Sequence, residues 1–315
     1  MAKSQLIAPG VVRVPTGIAN AYLIGSPTRW LLIDTGTPGN TANILRAVEQ
    51  HFDDATPPVA IILTHGHFDH AGSAFALAEH WGVNVYVHPL ETPFVNGSSA
   101  YPPPDPTVGG FMAQVIRFVP NAKYDLRPHL RELEPGEMPW LQGWEIIETP
   151  GHTAGHVSLF RPRDRVLLAG DAFTTVKQDN MIGMLSQRPQ VWRPPTYYTS
   201  DWQSARDSVL KLAALRPLVL GAGHGRPMAG YAALEQLQQL AQDFPIPEYG
   251  RYVQQPARSN RHGVTYVPPP VPDPVKRTAA IVSAGAAVGA GAFWFVRRQW
   301  ANNRKEEEVE IDRAA

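Results

Sequence analysis

The sequence predicts an α/β protein in which helices pack on a β-sheet. Three short apolar strands at the start of the chain are followed by a regular alternation of strand and helix patterns. Several later strands end at a His or Asp that stands beside a Gly, so these strand ends are expected to line one site. With 43% apolar residues among 315, the chain is long enough for one large domain or two ordinary domains.

Apolar periodicity justifies each element in turn. Short apolar runs bounded by Gly, Pro, Asn and Ser predict strands, and apolar residues at helical spacing predict helices. The predicted elements of the first half are strands 11–14, 21–24 and 30–33, helix 41–52, strand 59–63, helix 73–81 and strand 84–88. Those of the second half are strands 144–148, 157–160 and 166–169, helix 204–215, strand 218–220 and helix 231–244.

Two irregular stretches interrupt this pattern. Residues 89–106 include the run Tyr-Pro-Pro-Pro-Asp-Pro, which is too rich in proline for regular structure. This stretch is expected to be either a lid or pocket wall beside the site, or a passive surface insertion. Residues 173–202 are rich in Met, Trp, Tyr and Pro, which suits either an apolar wall for an acyl chain or ordinary core packing.

Composition excludes several classes of protein. The 28 basic and 28 acidic residues give no net charge, so no nucleic-acid partner is expected. The chain has no Cys, which excludes disulfides and thiolate ligands and leaves His, Asp and Glu to bind any metal. Residues 1–10 contain no apolar run of signal-peptide length, which favours a cytoplasmic catalytic domain.

The densest group of potential metal ligands in the chain follows the predicted strand 59–63. His65, His67, Asp69 and His70 lie within six residues of one another. Imidazoles and carboxylates bind zinc and related divalent metals, and this spacing cannot place all four side chains on one face of a regular helix or strand. A loop is therefore expected to fold them around a metal. The alternative is a His-rich surface loop, but such a loop rarely places this repeat directly after an apolar strand.

Three further motifs follow in the second half. The chain carries Gly-His-Thr-Ala-Gly-His from Gly151 to His156, Ala-Gly-Asp ending at Asp171 and Gly-His-Gly around His224, each close to a strand end. Taken in order with Thr-His-Gly-His-Phe-Asp-His, these motifs resemble those of the metallo-β-lactamase superfamily. The resemblance covers residues 11–244.

The resemblance implies an αββα sandwich with a two-metal centre along one edge of the sheets. The implied ligands are His65, His67 and His152 for the first metal, Asp69, His70 and His224 for the second, and Asp171 as the bridge. Three protein ligands and a bridge leave room for water on each ion, as catalytic zinc requires. A shared hydroxide would then hydrolyse the substrate, with Asp69 as the catalytic group that orients the nucleophile or accepts its proton. Two zinc ions are expected, although iron and manganese suit the same ligands.

Other polar residues near the motifs are expected to act indirectly. Asp34, in Ile-Asp-Thr-Gly, resembles the superfamily's Asp that hydrogen-bonds near the ligands, and the alternative is a turn-capping residue. His156 is expected to support the site or the fold rather than to bind metal. The remaining histidines are expected to be ordinary surface or core residues, namely His51, His80, His88, His129 and His262.

Differences between this chain's motifs and those of particular branches of the superfamily indicate which reaction to expect. His67 stands where the redox-active di-iron branch typically carries Glu, which favours hydrolysis. Asp69 and Asp171 resemble the glyoxalase II type of site, so thioester hydrolysis, as in hydroxyacylglutathione hydrolase, is one expectation. However, helix 231–244 is the one helix predicted between His224 and the proline-rich stretch, whereas the glutathione-binding enzymes carry a larger helical C-terminal domain. The resemblance therefore does not extend to glutathione specificity.

Hydrolysis of a small lactone is the second expectation, beside thioester hydrolysis. Quorum-quenching lactonases often place a Tyr three residues after the bridging Asp, where this chain has Thr174. Tyr197 and Tyr198 are candidates to take that place in space. The alternatives are β-lactam hydrolysis, a ribonuclease Z-like phosphodiesterase, and an interaction or sensor protein that metal only stabilises.

The chain is expected to extend beyond its catalytic domain. It divides into a catalytic domain, a proline-rich linker, a hydrophobic helix and a charged tail, at residues 1–249, 250–277, 278–296 and 297–315. The hydrophobic helix 278–296 carries no charge and is just long enough to cross a bilayer at about 1.5 Å per residue. It therefore predicts a membrane anchor. Gly285 and Gly289 have the spacing that lets two such helices pair, which predicts a homodimer. A peripheral helix and a tail docked on the domain are the alternatives.

Overall fold

The computed structural model describes most of the chain except its last part. The described residues are 3–52, 56–116, 125–133, 140–177 and 188–273. The predicted hydrophobic helix 278–296 and the tail after it lie outside these ranges, so the anchor and the homodimer stay predictions. Within the described ranges, no helix is long and apolar enough to cross a membrane.

Seven strands form the first sheet in the order of the sequence. They are β1 (Gln5–Ala8), β2 (Val11–Thr16), β3 (Ala19–Ser26), β4 (Arg29–Ile33), β5 (Ile61–Ile62), β6 (Val85–Val87) and β7 (Leu130–Glu132). Short turns join each strand from β1 to β4 to the next one, so consecutive strands in this part of the sheet pair antiparallel. The strands from β4 to β7 pair parallel, because longer connections that contain helices join them.

Five strands form the second sheet, in the order β12–β11–β10–β9–β8. They are β8 (Glu145–Glu148), β9 (Val157–Arg161), β10 (Val166–Leu168), β11 (Val219–Gly221) and β12 (Met228–Ala229). Only β10 and β11 pair parallel, and the long connection between them contains a helix.

The helices between the strands have bounds that local signals explain. They are α1 (Thr41–His51), α2 (Phe68–Ala71), α3 (Ala74–Trp81), α4 (Thr92–Val95), α5 (Phe111–Val115), α6 (Trp202–Ala214) and α7 (Tyr231–Gln242). The carboxylate of Asp201 caps the start of α6 by accepting a hydrogen bond from the backbone N–H of Ser204 at 3.0 Å. Helix α3 ends at Gly82, whose φ of 66° is the left-handed conformation of a common helix terminus.

Alternation of side chains along the strands creates four layers. One face of the first sheet packs against α1 and α3, in a buried cluster that includes Leu23 and Leu77. The other face packs against the second sheet, in a cluster that includes Ile24 and Leu159. The outer face of the second sheet packs against α6 and α7, in a cluster that includes Val209. The order of layers is therefore αββα, which confirms the predicted fold class.

The end of the compact unit differs from the predicted domain boundary at residue 249. β13 (Arg258–Asn260) and β14 (Gly263–Tyr266) form an antiparallel hairpin inside the stretch predicted as an extended linker. One compact unit spans Met1–Pro270. The prolines that flank the hairpin gave the stretch the composition of a linker, although its central residues pair as strands.

Candidate metal centre

The fold brings all seven predicted ligands together at the ends of strands. After β5, the chain passes through His65 and His67 and enters α2, which carries Asp69 and His70. The loops that follow β8, β10 and β11 carry the remaining three, namely His152, Asp171 and His224. None of the seven residues is more than 6% exposed, so the site is a buried polar cluster. Such a cluster is costly unless its charges and hydrogen-bonding groups find partners.

Asp171 lies at the centre of the cluster. Its Oδ1 lies 3.6 Å from Nε2 of His70. Its Oδ2 lies 3.5 Å from Nε2 of His152 and 3.1 Å from Nε2 of His224. One carboxylate therefore faces imidazoles from both expected ligand groups.

The other ligands lie on either side of that carboxylate. Nδ1 of His67 is 3.0 Å from Nε2 of His152, and Oδ2 of Asp69 is 3.4 Å from Nε2 of His224. Three sets of side chains place their ligand atoms within 4.8 Å of one another, close enough to hold a metal ion: His65 with His67 and His152, His65 with His70 and Asp171, and Asp69 with His70 and His224.

Atoms without hydrogen-bond partners test whether metal suits this site. Nε2 of His65, Nε2 of His70 and Oδ1 of Asp171 are buried and make no hydrogen bond. Each such atom in a protein interior costs about 1–3 kcal/mol unless something binds it. Imidazole nitrogens and carboxylate oxygens that converge without protein partners are the donors that divalent metal ions take. The chemistry of this cluster therefore fits bound metal.

Burial holds most of the imidazoles neutral in the metal-free protein. It lowers the pKa of His67 to about 3, and it lowers the pKa of His65 and of His152 well below the usual value. Neutral imidazole is the form that coordinates metal. These three side chains are therefore ready to bind without first losing a proton.

His224 behaves in the opposite way because of its neighbours. Burial alone would lower its pKa, but the Asp171 and Asp69 carboxylates together outweigh burial and raise the pKa to about 9. Burial raises the pKa of Asp171, yet the positive charges on His224 and His70 hold it well below the usual range. In the metal-free site, His224 and His70 therefore carry protons beside the Asp171 carboxylate, and a metal ion must displace these protons to bind.

Asp34 supports the site through two hydrogen-bonded neighbours. Its Oδ2 lies 2.8 Å from Nδ1 of His70, and its Oδ1 accepts the backbone N–H of Thr64 at 2.8 Å. The first contact points Nε2 of His70 toward the ligand cluster, which is the supporting role expected of Asp34. Asp34 also adopts φ of 57°, which is strained for a residue other than glycine.

His156 is buried beside the cluster but both of its ring nitrogens are occupied. Nδ1 lies 2.8 Å from the hydroxyl of Thr149, and Nε2 accepts the backbone N–H of Asp171 at 2.9 Å. Burial lowers its pKa to about 4, so the ring is neutral and accepts this hydrogen bond. His156 therefore orients Asp171, as its predicted supporting role requires.

The turn between β2 and β3 and the start of β3 hold the His224 loop in place, a contact that no sequence motif indicates. Nδ1 of His224 donates to the carbonyl of Ile18 at 2.8 Å. The side-chain amide of Asn20 donates to the carbonyls of Ala222 at 2.9 Å and of Gly225 at 2.8 Å. These contacts join residues about two hundred positions apart in the chain, so local patterns could not reveal them.

A small, partly open cavity lies beside the first ligand group. Aromatic rings form much of its wall: the ring centroids of Tyr101 and Tyr198 each lie 4.5 Å from that of His67. Ser259 of β13 also lines the cavity, together with Pro102. Of the two alternatives for residues 89–106, the structure therefore supports the pocket wall.

Residues 173–202 divide between the pocket and the core. Tyr198 lines the cavity, whereas Trp202 is buried in the cluster under α6 and α7. Tyr197 is 7% exposed, and burial together with the Asp69 and Asp171 carboxylates raises its pKa well above the usual value. Met181 and Met184 belong to the same stretch, which the sequence predicts as an apolar wall or as core packing, and they lie outside the described residues.

A comparison with protein families decides the classification. The family model described as metallo-beta-lactamase superfamily matches residues 14–224, a range that contains all seven predicted ligands. The chain belongs to the metallo-β-lactamase superfamily. Family membership and the buried His and Asp groups together identify a metal-dependent hydrolase, as the sequence predicted.

Curated relatives agree with this membership. The chain is 43% identical over 239 residues to "Probable metallo-hydrolase YflN" of Bacillus subtilis, covering 74% of this chain and 90% of the relative. It is 29% identical over 113 residues to "Hydroxyacylglutathione hydrolase GloC" of Haemophilus influenzae, covering 35% of this chain and 48% of the relative.

A solved structure shares the fold. It is the "Crystal structure of BLEG-1 B3 metallo-beta-lactamase", with a TM-score of 0.50 and 21% identity, and the match covers 75% of this chain and 99% of that one. At this identity the likeness concerns the αββα architecture alone.

Proposed function

We propose that the chain is a two-metal hydrolase, with zinc as the metal, that acts on a small thioester, lactone or similar ester. The observation that carries this proposal is the position of Asp171, whose two oxygens face imidazoles of both ligand groups. The first group is His65, His67 and His152, the second is Asp69, His70 and His224, and Asp171 is the bridge between them. Asp171 and the convergent, unpartnered ligand atoms support this assignment.

The metals and the protein contribute different parts of the reaction. When bound, two divalent ions lower the pKa of a coordinated water toward neutrality and polarise the bond under attack. Asp69 belongs to the second group, is 6% exposed and lies beside His224. It is placed to orient the attacking water and to accept its proton. Asp34 and His156 hold His70 and Asp171 in place for this step.

The cavity favours a compact substrate without charge beside the first ligand group. Its walls there are the rings of Phe94, Tyr101 and Tyr198, which suit an apolar acyl or leaving group. The similarity to the hydroxyacylglutathione hydrolase of Haemophilus influenzae supports thioester chemistry. Of Tyr197 and Tyr198, it is Tyr198 that lines the cavity beside His67, so Tyr198 is the candidate to serve a lactone carbonyl.

The test compares substrates on one metal-loaded preparation. Protein stripped with a chelator and reloaded with zinc is assayed against a neutral thioester, a lactone, a β-lactam and a phosphodiester. We expect hydrolysis of the thioester or the lactone, loss of that activity on chelation, and a fall of about 10²- to 10⁴-fold in kcat for Asp69→Asn. Turnover of only the β-lactam or only the phosphodiester would contradict the proposed substrate class.

A control separates catalysis from stabilisation by metal. If metal only stabilises the fold, chelation lowers the melting temperature, yet the reloaded protein hydrolyses none of the four substrates. That result would favour the interaction or sensor alternative.

A further inference from the structure

The carboxylate of Glu91 joins two loops of the metal centre. Glu91 directly precedes α4 and is 0% exposed. Its Oε2 accepts the backbone N–H of Gly66 at 3.1 Å, and its Oε1 accepts the backbone N–H of Gly155 at 2.9 Å. A buried carboxylate is stable only when hydrogen bonds replace its lost hydration, and these two N–H groups do so.

Both N–H groups belong to loops that carry the first ligand group. Gly66 stands between His65 and His67 in the sequence, and Gly155 stands three residues after His152. The carboxylate therefore links the backbones that present all three imidazoles of this group. A side chain outside the two ligand groups therefore ties the two loops together.

Tyr101 extends this link to the wall of the cavity. Its hydroxyl donates to Oε2 of Glu91 and accepts the backbone N–H of Gly66 at 2.8 Å. Its ring lies 4.5 Å from that of His67 and stacks on Phe94, with centroids 4.1 Å apart. The proline-rich stretch 89–106 thus contributes both side chains of the link, Glu91 and Tyr101.

Glycine at the two linked positions is a consequence of this close approach. A Cβ atom at Gly66 would lie 2.7 Å from Oη of Tyr101 and 2.5 Å from Cγ1 of Val95. A Cβ atom at Gly155 would lie 2.9 Å from Cγ of Glu91. These distances are too short for real Cβ atoms, so a side chain at Gly155 would displace Glu91 and one at Gly66 would displace Tyr101 or Val95.

We propose that Glu91 is a positioning residue for the first metal, an inference that rests on the proposed two-metal function. It holds His65, His67 and His152 at the spacing that one ion requires. The second group has other supports, because Asp34 orients His70 and the Ile18 carbonyl orients His224. Loss of Glu91 therefore weakens the first metal site selectively.

The test uses Glu91→Gln, which keeps the size of the side chain. Whichever way the amide turns, one of the two N–H groups then faces an NH₂ group instead of an oxygen. Metal-free protein is titrated with Co²⁺ against a competing chelator, and the absorption bands separate the two classes of site. His67→Ala identifies which class belongs to the first group, because it removes a ligand from that group only.

We expect Glu91→Gln to weaken Co²⁺ binding to that class by about 10- to 100-fold and to leave the other class unchanged. The matched control is Glu132→Gln. Among the described residues, the carboxylate of Glu132 accepts a hydrogen bond from Thr92 of α4 at 3.1 Å and pairs with Arg261 at 3.6 Å, and neither of these partners belongs to a ligand loop. This control should bind both ions as the natural chain does. Tyr101→Phe, which removes a single donor to the carboxylate, should weaken the same class to a smaller degree.

Two results would overturn the inference. Unchanged affinity at both classes in folded Glu91→Gln would show that the link does not set the first site. Equal weakening of both classes, together with a lower melting temperature of the metal-free protein, would show that Glu91 supports the fold in general. Failure of the natural chain to bind two ions would instead contradict the proposed function.

Discussion

Oδ2 of Asp34 lies 2.8 Å from Nδ1 of His70, and both side chains are buried. This contact fixes which ring nitrogen of His70 faces the ligand cluster, since the nitrogen that donates to the carboxylate cannot bind metal. It also explains why Asp34 tolerates a strained backbone at φ of 57°.

Replacement of Asp34 should therefore damage the second metal site. Asp34→Ala leaves His70 without its partner, and we expect the affinity for the second metal ion to fall by about 10- to 100-fold. Metal titration with a competing chelator measures the change. Asp207→Asn, at an exposed carboxylate that accepts from Gln203, is the control and should bind metal normally. Normal affinity in Asp34→Ala would contradict the orienting role of Asp34.

Asn20 gives a test of stability as well as of metal binding. Asn20→Ala removes the hydrogen bonds that the side-chain amide donates to the buried carbonyls of Ala222 and Gly225. It also removes the one that Oδ1 accepts from Nε of Arg13 at 2.7 Å. We expect the free energy of unfolding to fall by about 1–3 kcal/mol, measured by urea denaturation, and metal binding near His224 to weaken. Asn43→Ala, which removes a bond to the carbonyl of Pro15, should leave metal binding intact. A similar loss of metal in both variants would refute the specific link.

The pair formed by His224 and Asp171 predicts how the metal-free protein responds to pH. The folded state raises the pKa of His224 from 6.5 to about 9, so the stabilisation is fully present below pH 6.5 and is lost as the pH rises toward 9. Burial lowers the pKa of His67 to about 3, so that side chain stays neutral throughout this window. The melting temperature of the metal-free protein should therefore fall between pH 6.5 and 9, and less so in His224→Asn. A flat profile would contradict the pairing.

Tyr198 offers a test of the cavity. Its ring lies against His67, with centroids 4.5 Å apart, and lines the space beside the first ligand group. Tyr198→Ala removes that wall, so we expect KM for the preferred substrate to rise several-fold with a smaller change in kcat. Tyr198→Phe keeps the ring and should keep KM. An equal effect of both variants would show that the hydroxyl, and not the ring, serves the substrate.

Local motifs allowed the sequence to predict most of the fold and the members of the candidate site. His65, Asp171 and His224 each follow an apolar strand, and the carboxyl ends of the strands meet where the αββα layers place them. Helices with strong apolar periodicity, such as α1 and α6, were also predicted almost to their ends.

What the sequence could not predict depends on contacts between distant segments. Glu91 and Asn20 reach loops far away in the chain, and a single polar residue carries no periodic pattern. The prolines that flank the hairpin of β13 and β14 give this stretch the composition of a linker, so composition alone hides the strand pairing. Short elements such as β7 and α4 contain too few residues to show a period.

The most direct test of the two-metal centre is its metal content. Protein purified without added metal, reloaded with zinc and freed of excess, is measured by mass spectrometry beside His67→Ala and Asp171→Ala. We predict about two zinc ions per natural chain, a loss confined to the first group in His67→Ala, and losses from both groups in Asp171→Ala. Less than one ion per natural chain, or a content that neither substitution changes, would contradict the account.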